Sequence, residues 1–195
     1  MRVVVEPHNP AWAVEFAAIR DELYKTLEEI PNVSIEHVGS TSIPGLVAKP
    51  ILDIDIIVTP ENLDAVRAAM VSAGYTDLGE LGVPGRFAMR QPGHWRSQVA
   101  GNSTKGNSQT KGVRRHTYVI LEGSISLKNH RDLKRMMLED DVLRDEYGEV
   151  KKRLAGQELE DIDEYCKGKN EVLLKILRSA GWSEEELEEV RKANE

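Results

Sequence analysis

Residues 37–58 read HVGSTSIPGLVAKPILDIDIIV, a turn of small residues leading into an apolar run that carries two acids. The back half, Ile51–Val58, is almost continuously β-branched, which predicts a strand covered on both faces and central in its sheet. Asp53 and Asp55 stand two apart, so the period of a strand puts both carboxylates on one face. Ile51, Ile54 and Ile56 surround them, and burial with mutual repulsion is expected to raise both pKa values. Two neighbouring ionised carboxylates are costly without a compensating positive charge. A hard divalent cation, Mg²⁺ or Mn²⁺, suits them, since such ions take one or two carboxylates and complete their shell with water and phosphate oxygens. The front half predicts a short strand, Ser34–Val38, running into GSTSIPG. Gly39 lets backbone approach a ligand, Ser40, Thr41 and Ser42 offer hydroxyls to phosphate, and Lys49 offers a point charge. The plainer alternatives are a β-turn held by its own Ser/Thr side chains and an exposed sheet face whose acids cap loops.

Working outward, Asn9-Pro10 predicts a helix start, with Asn9 as N-cap and Pro10 in the first helical position. Trp12, Phe16, Ile19, Leu23, Leu27 and Ile30 recur at spacings of three and four up to Pro31, an amphipathic helix. Thr59-Pro60 predicts the cap of a second helix, with Leu63, Val66, Met70 and Ala73 inward and Gly74 at its end. Short β segments follow at Tyr75–Leu81, Arg86–Gln91 and Trp95–Ala100, then a polar Gly-rich loop over 101–112 and a strand at His116–Glu122. Helical spacing then dominates, over Leu127–Leu138, Asp141–Leu154, Leu159–Ala180 and Glu184–Ala193, with Ser183 and Glu186 as a capping box for the last. Strands first and helices mostly later favour an α+β fold with a mixed or antiparallel sheet over a doubly wound one. The expected organisation is one domain over 1–195, with an α/β core to about residue 125 and a helical region from about 126.

Composition narrows the function classes. Cys166 is the only cysteine, which excludes an intrachain disulfide and cysteine-based zinc sites and fits a reducing cytoplasm. No apolar run is long enough for a membrane span. The net charge of −7 argues against broad nucleic-acid binding, although RNA is not excluded as a partner. From Leu81 to Leu121 there is no Asp or Glu, while Arg86, Arg90, Arg96, Lys105, Lys111, Arg114 and Arg115 give the segment +7 and leave −14 elsewhere. Such a segment either serves an anionic ligand or pairs with acidic helices across the fold. Lys128 and Arg131, one helical turn apart, join Arg114 and Arg115 as candidates to clamp phosphate.

Gly39-Ser40, twelve intervening residues and Asp53-Ile54-Asp55 resemble the signature of the nucleotidyltransferase (polymerase β-like) superfamily. More narrowly, IEHVGSTSIPGLVAKPILDIDI is similar to the GrpB family, an uncharacterised group also found fused to dephospho-coenzyme A kinase. The likeness continues in NPAWAVEF (9–16), LKNHRDLKRMM (127–137), YGEVKKRLA (147–155) and DIDEYCKGKN (161–170). The resemblance implies a nucleotidyltransferase-like fold, a small mixed sheet flanked by helices. It further implies that Gly39 and Ser40 hold a nucleoside triphosphate, and Asp53 and Asp55 the metal ions. Active superfamily members add a third carboxylate from a neighbouring strand, but here the expected strand offers only Glu122 at its end. GrpB relatives tend to carry an HxH-like pattern on that strand, and this chain has His116 and Tyr118. His116 is accordingly a candidate ligand or base, and Tyr165 with Lys169 matches a further recurring family pattern. The leading expectation is a metal-dependent nucleotidyltransferase acting on an unidentified acceptor. Its alternatives are a non-catalytic binder of a nucleotide, coenzyme or other phosphate-bearing small molecule, and an aminoacyl-tRNA-dependent transferase.

Overall fold

The computed structural model describes residues 2–93 and 113–193. Its centre is a five-stranded mixed sheet in the order β1-β2-β5-β4-β3, with β1 Ser34–Val38, β2 Leu52–Val58, β3 Thr76–Asp77, β4 Arg86–Arg90 and β5 Arg115–Leu121. Only β2 and β5 run parallel; β1 pairs antiparallel with β2, and β4 antiparallel with both β5 and β3. The α+β expectation with a mixed sheet holds. Strand β2 is flanked on both sides, as its apolar run implies. The segments expected at Trp95–Ala100 and 101–112 lie outside the described residues, as do His94, Arg96, Lys105 and Lys111. β3 is shorter than the expected Tyr75–Leu81: the Asp77 carboxylate accepts the Gly79 N–H at 2.8 Å, and Leu78 and Gly79 both bond to Ala88, so the regular pairing ends in a bulge.

Alternation along β2 separates two environments. Leu52, Ile54, Ile56 and Val58 face α1 (Ala11–Thr26) and α2 (Leu63–Ser72), where Trp12, Ile19, Leu23, Val66 and Met70 complete the largest apolar cluster. Asn9 accepts the Ala11 N–H at 3.0 Å, and Pro10 already has helical dihedrals (φ −58°, ψ −21°). α1 ends at Thr26, earlier than the spacing to Ile30 suggests, since Leu27 leaves helical geometry and the Ile30 N–H bonds back to its carbonyl. Before α2, residues 60–62 form a 3₁₀ turn, and Thr59 makes no side-chain cap.

The opposite face, bearing Asp53, Asp55 and Ile57, is roofed by α3 (Ile125–Glu139), whose Leu127 packs on Ile57 and Ile120. Behind α3 stand α4 (Asp141–Ala155), α5 (Ile162–Lys167), α6 (Asn170–Ser179) and α7 (Glu184–Ala193). The helix expected over Leu159–Ala180 is two, broken at Gly168, where an added Cβ would lie 2.6 Å from Leu154. The Ser183–Glu186 capping box forms in both directions, at 2.9 and 3.2 Å. Between β1 and β2 the chain does not form a simple turn: Ile43 and Leu46 are buried among Met137, Leu143, Tyr147, Val172 and Ile176. Among the described residues no helix is long and apolar enough to cross a membrane.

His37 at the end of β1 stacks on Phe16 of α1, ring centroids 4.7 Å apart. Its Nε2 lies 2.9 Å from the Thr41 hydroxyl, which donates onward to the Ile51 carbonyl, so the imidazole proton sits on Nε2. Burial, then the nearby Lys134 charge, push the ring down to about 4, against a smaller opposing pull from Asp53. The folded state therefore binds fewer protons than the unfolded state between the ordinary histidine pKa and 4. Stability is full above that window and falls as pH drops through it, by roughly 3 kcal/mol at the acid end. Urea unfolding at pH 7.5 and pH 4 will show this loss in the wild type and a correspondingly smaller one in His37→Asn. Equal acid losses in the two proteins would contradict the assignment.

Candidate active site

In-register pairing sets Asp53 beside His116 and Asp55 beside Tyr118, all on the face that α3 covers. The two acids are not equivalent. Asp55 is fully buried, whereas the Asp53 side chain at the end of the strand keeps 31% of its surface exposed. Each carboxylate accepts from one imidazole: His116 Nδ1 lies 3.0 Å from Asp53 Oδ1, and His130 Nδ1 lies 2.7 Å from Asp55 Oδ2. With Nδ1–H donating, each ring presents a lone pair at Nε2. Burial pushes the Asp53 carboxyl up, but the His116 hydrogen bond and charge, with His130 and Lys169 behind, outweigh it and hold it below the ordinary carboxylate range. The expected rise is thus reversed at Asp53, because imidazoles rather than only a second acid surround it. Tyr118 is pushed up to about 12, by burial first and then by the Asp53 and Asp55 charges, against Arg86 over its ring at 4.8 Å.

The Gly39-Ser40 turn lies directly on Asp53. Gly39 has φ +67°, and a Cβ there would fall 2.8 Å from Asp53 Cγ and closer still to Oδ2. Backbone thus touches a carboxylate where no side chain fits. Ser40 starts a 3₁₀ turn, and no described residue hydrogen-bonds its hydroxyl. The other hydroxyls of the motif serve the turn itself: Thr41 is buried against His37, and Ser42 donates to the Gly39 carbonyl at 2.7 Å. On the acid side, no described residue donates to Asp53 Oδ2, and Asp55 Oδ1 is a buried acceptor with no partner. An unsatisfied buried carboxylate oxygen costs on the order of 1–3 kcal/mol or more. Carboxylate oxygens that lack a described donor, on two neighbouring acids of one sheet face, are hard ligands of the kind a divalent cation takes. Among the described residues no group of three His, Cys, Asp or Glu is arranged to hold a metal, so water and phosphate would complete the shell of such an ion.

The remaining candidates divide. Lys49 lies 5.0 Å from the Tyr165 ring, with Lys169 at 4.7 Å from the same ring, and Arg114 is near enough to Lys49 to depress its pKa. Arg115 shares a row with Leu52, on the face away from Asp53, and donates to the Tyr75 hydroxyl. Strand alternation opposes it to its neighbour His116, so it is not part of the site. Lys128 pairs with Glu186, and Arg131 grips both oxygens of Glu36 at 2.6 and 3.2 Å. Both cations face acids of the fold rather than Asp53. Glu36 itself shares Asp55's row on β1, an acid on the edge strand opposite to β5, where a third carboxylate was expected. His130, Lys151 and Glu36 were not singled out from sequence.

The profile of the family described as GrpB protein matches residues 2–179. The chain belongs to this family. It is 33% identical over 188 residues to a UPF0157 protein of Pseudomonas aeruginosa, covering 92% of this chain and 68% of that protein. A UPF0157 protein of Bacillus subtilis is 28% identical over 173 residues, and there the chain spans only 45% of the relative's length. Among solved structures, the conserved protein GrpB from Enterococcus faecalis superposes with a TM-score of 0.70 at 26% identity, covering 92% of this chain and all of that one.

The contact between Gly39 and Asp53 gives a direct test. Gly39→Ala is expected to destabilise the fold by roughly 1–3 kcal/mol, combining a positive φ with the carboxylate clash. Adding Asp53→Ala removes the clash, so the double variant will lose less than the sum of the singles in urea unfolding. An additive double variant, or a neutral Gly39→Ala, would show that the turn does not rest on the acid.

Proposed function

We propose that this protein is a metal-dependent nucleotidyltransferase, moving a nucleotidyl group from a nucleoside triphosphate to an acceptor hydroxyl. The observation that carries this reading is the seating of the Gly39-Ser40 backbone on Asp53 beside the unpartnered oxygen of Asp55. A glycine without a side chain, a serine hydroxyl that no described residue bonds, and two neighbouring acids that each have an oxygen with no described donor lie together there, which suits a metal-bound phosphate. Asp53 Oδ2 and Asp55 Oδ1 would hold Mg²⁺ or Mn²⁺, which when bound neutralises charge on the phosphates. The Gly39-Ser40 turn orients the triphosphate, and roofing by α3 limits water around Asp55.

His116 takes the role that a third carboxylate fills in the superfamily. Its side chain is 44% exposed and its Nδ1 is fixed by Asp53, leaving Nε2 to accept a proton from the acceptor hydroxyl. The oxygen of that hydroxyl then bonds to the α-phosphorus, the bond from the α-phosphorus to its bridging oxygen breaks, and pyrophosphate leaves with the electron pair. His130 orients Asp55 through the hydrogen bond at 2.7 Å.

A second reading, a binder without chemistry, draws on the lack of an acid inside β5. Thermal melts with each nucleoside triphosphate, with and without Mg²⁺ or Mn²⁺, separate the two. Metal-dependent stabilisation that disappears in Asp53→Asn, with pyrophosphate released when acceptor is present, is the expected result. Stabilisation indifferent to metal and to Asp53→Asn would favour the binder, and no stabilisation by any nucleotide would reject both.

A further inference from the structure

Near Asp53, the helical part of the chain brings together lysines that no described carboxylate neutralises. Lys49 precedes β2, Lys151 lies on α4 and Lys169 immediately precedes α6. Lys151 is 3% exposed, donates to the Val47 carbonyl and sits 5.0 Å from the Tyr147 ring. Lys49 and Lys169 flank Tyr165, which is wholly buried and whose hydroxyl has no hydrogen-bond partner. None of the three lysines forms an ion pair with a carboxylate among the described residues. Burial, then the Lys169 charge, press Lys151 down to about 7, with Asp53 opposing and Lys49 adding to the depression. Lys49 is lowered by burial, by Lys169 and by Arg114.

Clustered unpaired cations are costly, and a buried lysine is among the rarest residues unless paired. A methionine at 151 would fill the space without that cost. We infer that Lys49, Lys151 and Lys169, with the Tyr165 hydroxyl, form an anion site adjoining Asp53 that takes a pyrophosphate or triphosphate chain. A single carboxylate or monophosphate would leave much of this positive charge unbalanced; a chain of two or three phosphates matches it. Lysine ammonium groups, with three rotatable donors each, suit the spread oxygens of such a chain. The inference rests on the reading above only for what the chain is attached to, a nucleoside or a coenzyme; the need for an anion follows from the lysines alone.

The test uses the full chain in EDTA, titrated calorimetrically with inorganic tripolyphosphate. The wild type is expected to bind, and Lys151→Met and Lys169→Ala to bind roughly tenfold or more weakly, the loss of one charge-assisted contact each. Lys151→Met should also melt higher than the wild type without ligand, which a structural lysine would not do. Asp53→Asn should keep or strengthen tripolyphosphate binding, since it removes a negative charge, while losing metal-dependent nucleotide binding. Binding of ATP above ADP-ribose assigns a terminal phosphate chain, and the reverse assigns an internal coenzyme pyrophosphate; both support the site. No wild-type binding at millimolar tripolyphosphate, or unchanged affinity in both lysine variants, overturns it. Tripolyphosphate binding without nucleotidyl transfer would sink the proposed reaction and leave this site standing.

Discussion

The close seating of the Gly39 backbone on the Asp53 carboxylate constrains everything around it. The chain leaving β1 crosses the end of β2 with Gly39 at φ +67°, where no Cβ fits over the acid, and it then turns away from the sheet. That departure carries Ile43 and Leu46 into the apolar cluster of α3, α4 and α6. The link between sheet and helices thus starts at the same residue that opens the space over the acid. Lys134 bonded to the His37 carbonyl at 2.7 Å, and Lys151 bonded to Val47, clamp the crossing from the helical side.

Electrostatics then distinguishes two acids that the strand places on one face. Asp55 is sealed in and answered by His130, while Asp53 is partly open and answered by His116. Among the described residues, each acid keeps one oxygen without a donor. A carboxylate oxygen buried without a described partner, and lysines without a described acid, are charges held apart at the expense of stability. The separation makes physical sense when a cation and a polyphosphate complete the arrangement, since each charge then gains a partner. This pattern of unpaired charge distinguishes the GrpB site from the satisfied pairs elsewhere, such as Arg131 with Glu36 and Arg67 with Asp77.

What could be read from the sequence was what is local. Strand period and β-branching gave β1, β2 and the common face of Asp53 and Asp55, and glycine before serine marked the turn. The same period, applied to β5, would have set Arg115 on the far face from His116. Spacing could not tell which acid is buried, because that depends on how far α3 extends over the strand. His130 and Lys151 lie in LKNHRDLKRMM and YGEVKKRLA, runs that carried the family likeness. On their helices they are ordinary polar residues, and only the packing of α3 and α4 brings them to the site, 75 residues from Asp55 and 104 from Val47. Nor did helical spacing reveal the break at Gly168, where Leu154 packs so close that no side chain fits.

In the proposed site the oxygens of Asp53 and Asp55 that lack a described donor would share one divalent cation under the Gly39-Ser40 turn. Crystals grown with Mn²⁺ and a non-hydrolysable nucleoside triphosphate, measured at the manganese absorption edge, address it most directly. An anomalous peak between the two carboxylates, with phosphate density running from residues 39 and 40, is expected. Manganese bound elsewhere, or none at these acids at saturating concentration, would contradict it.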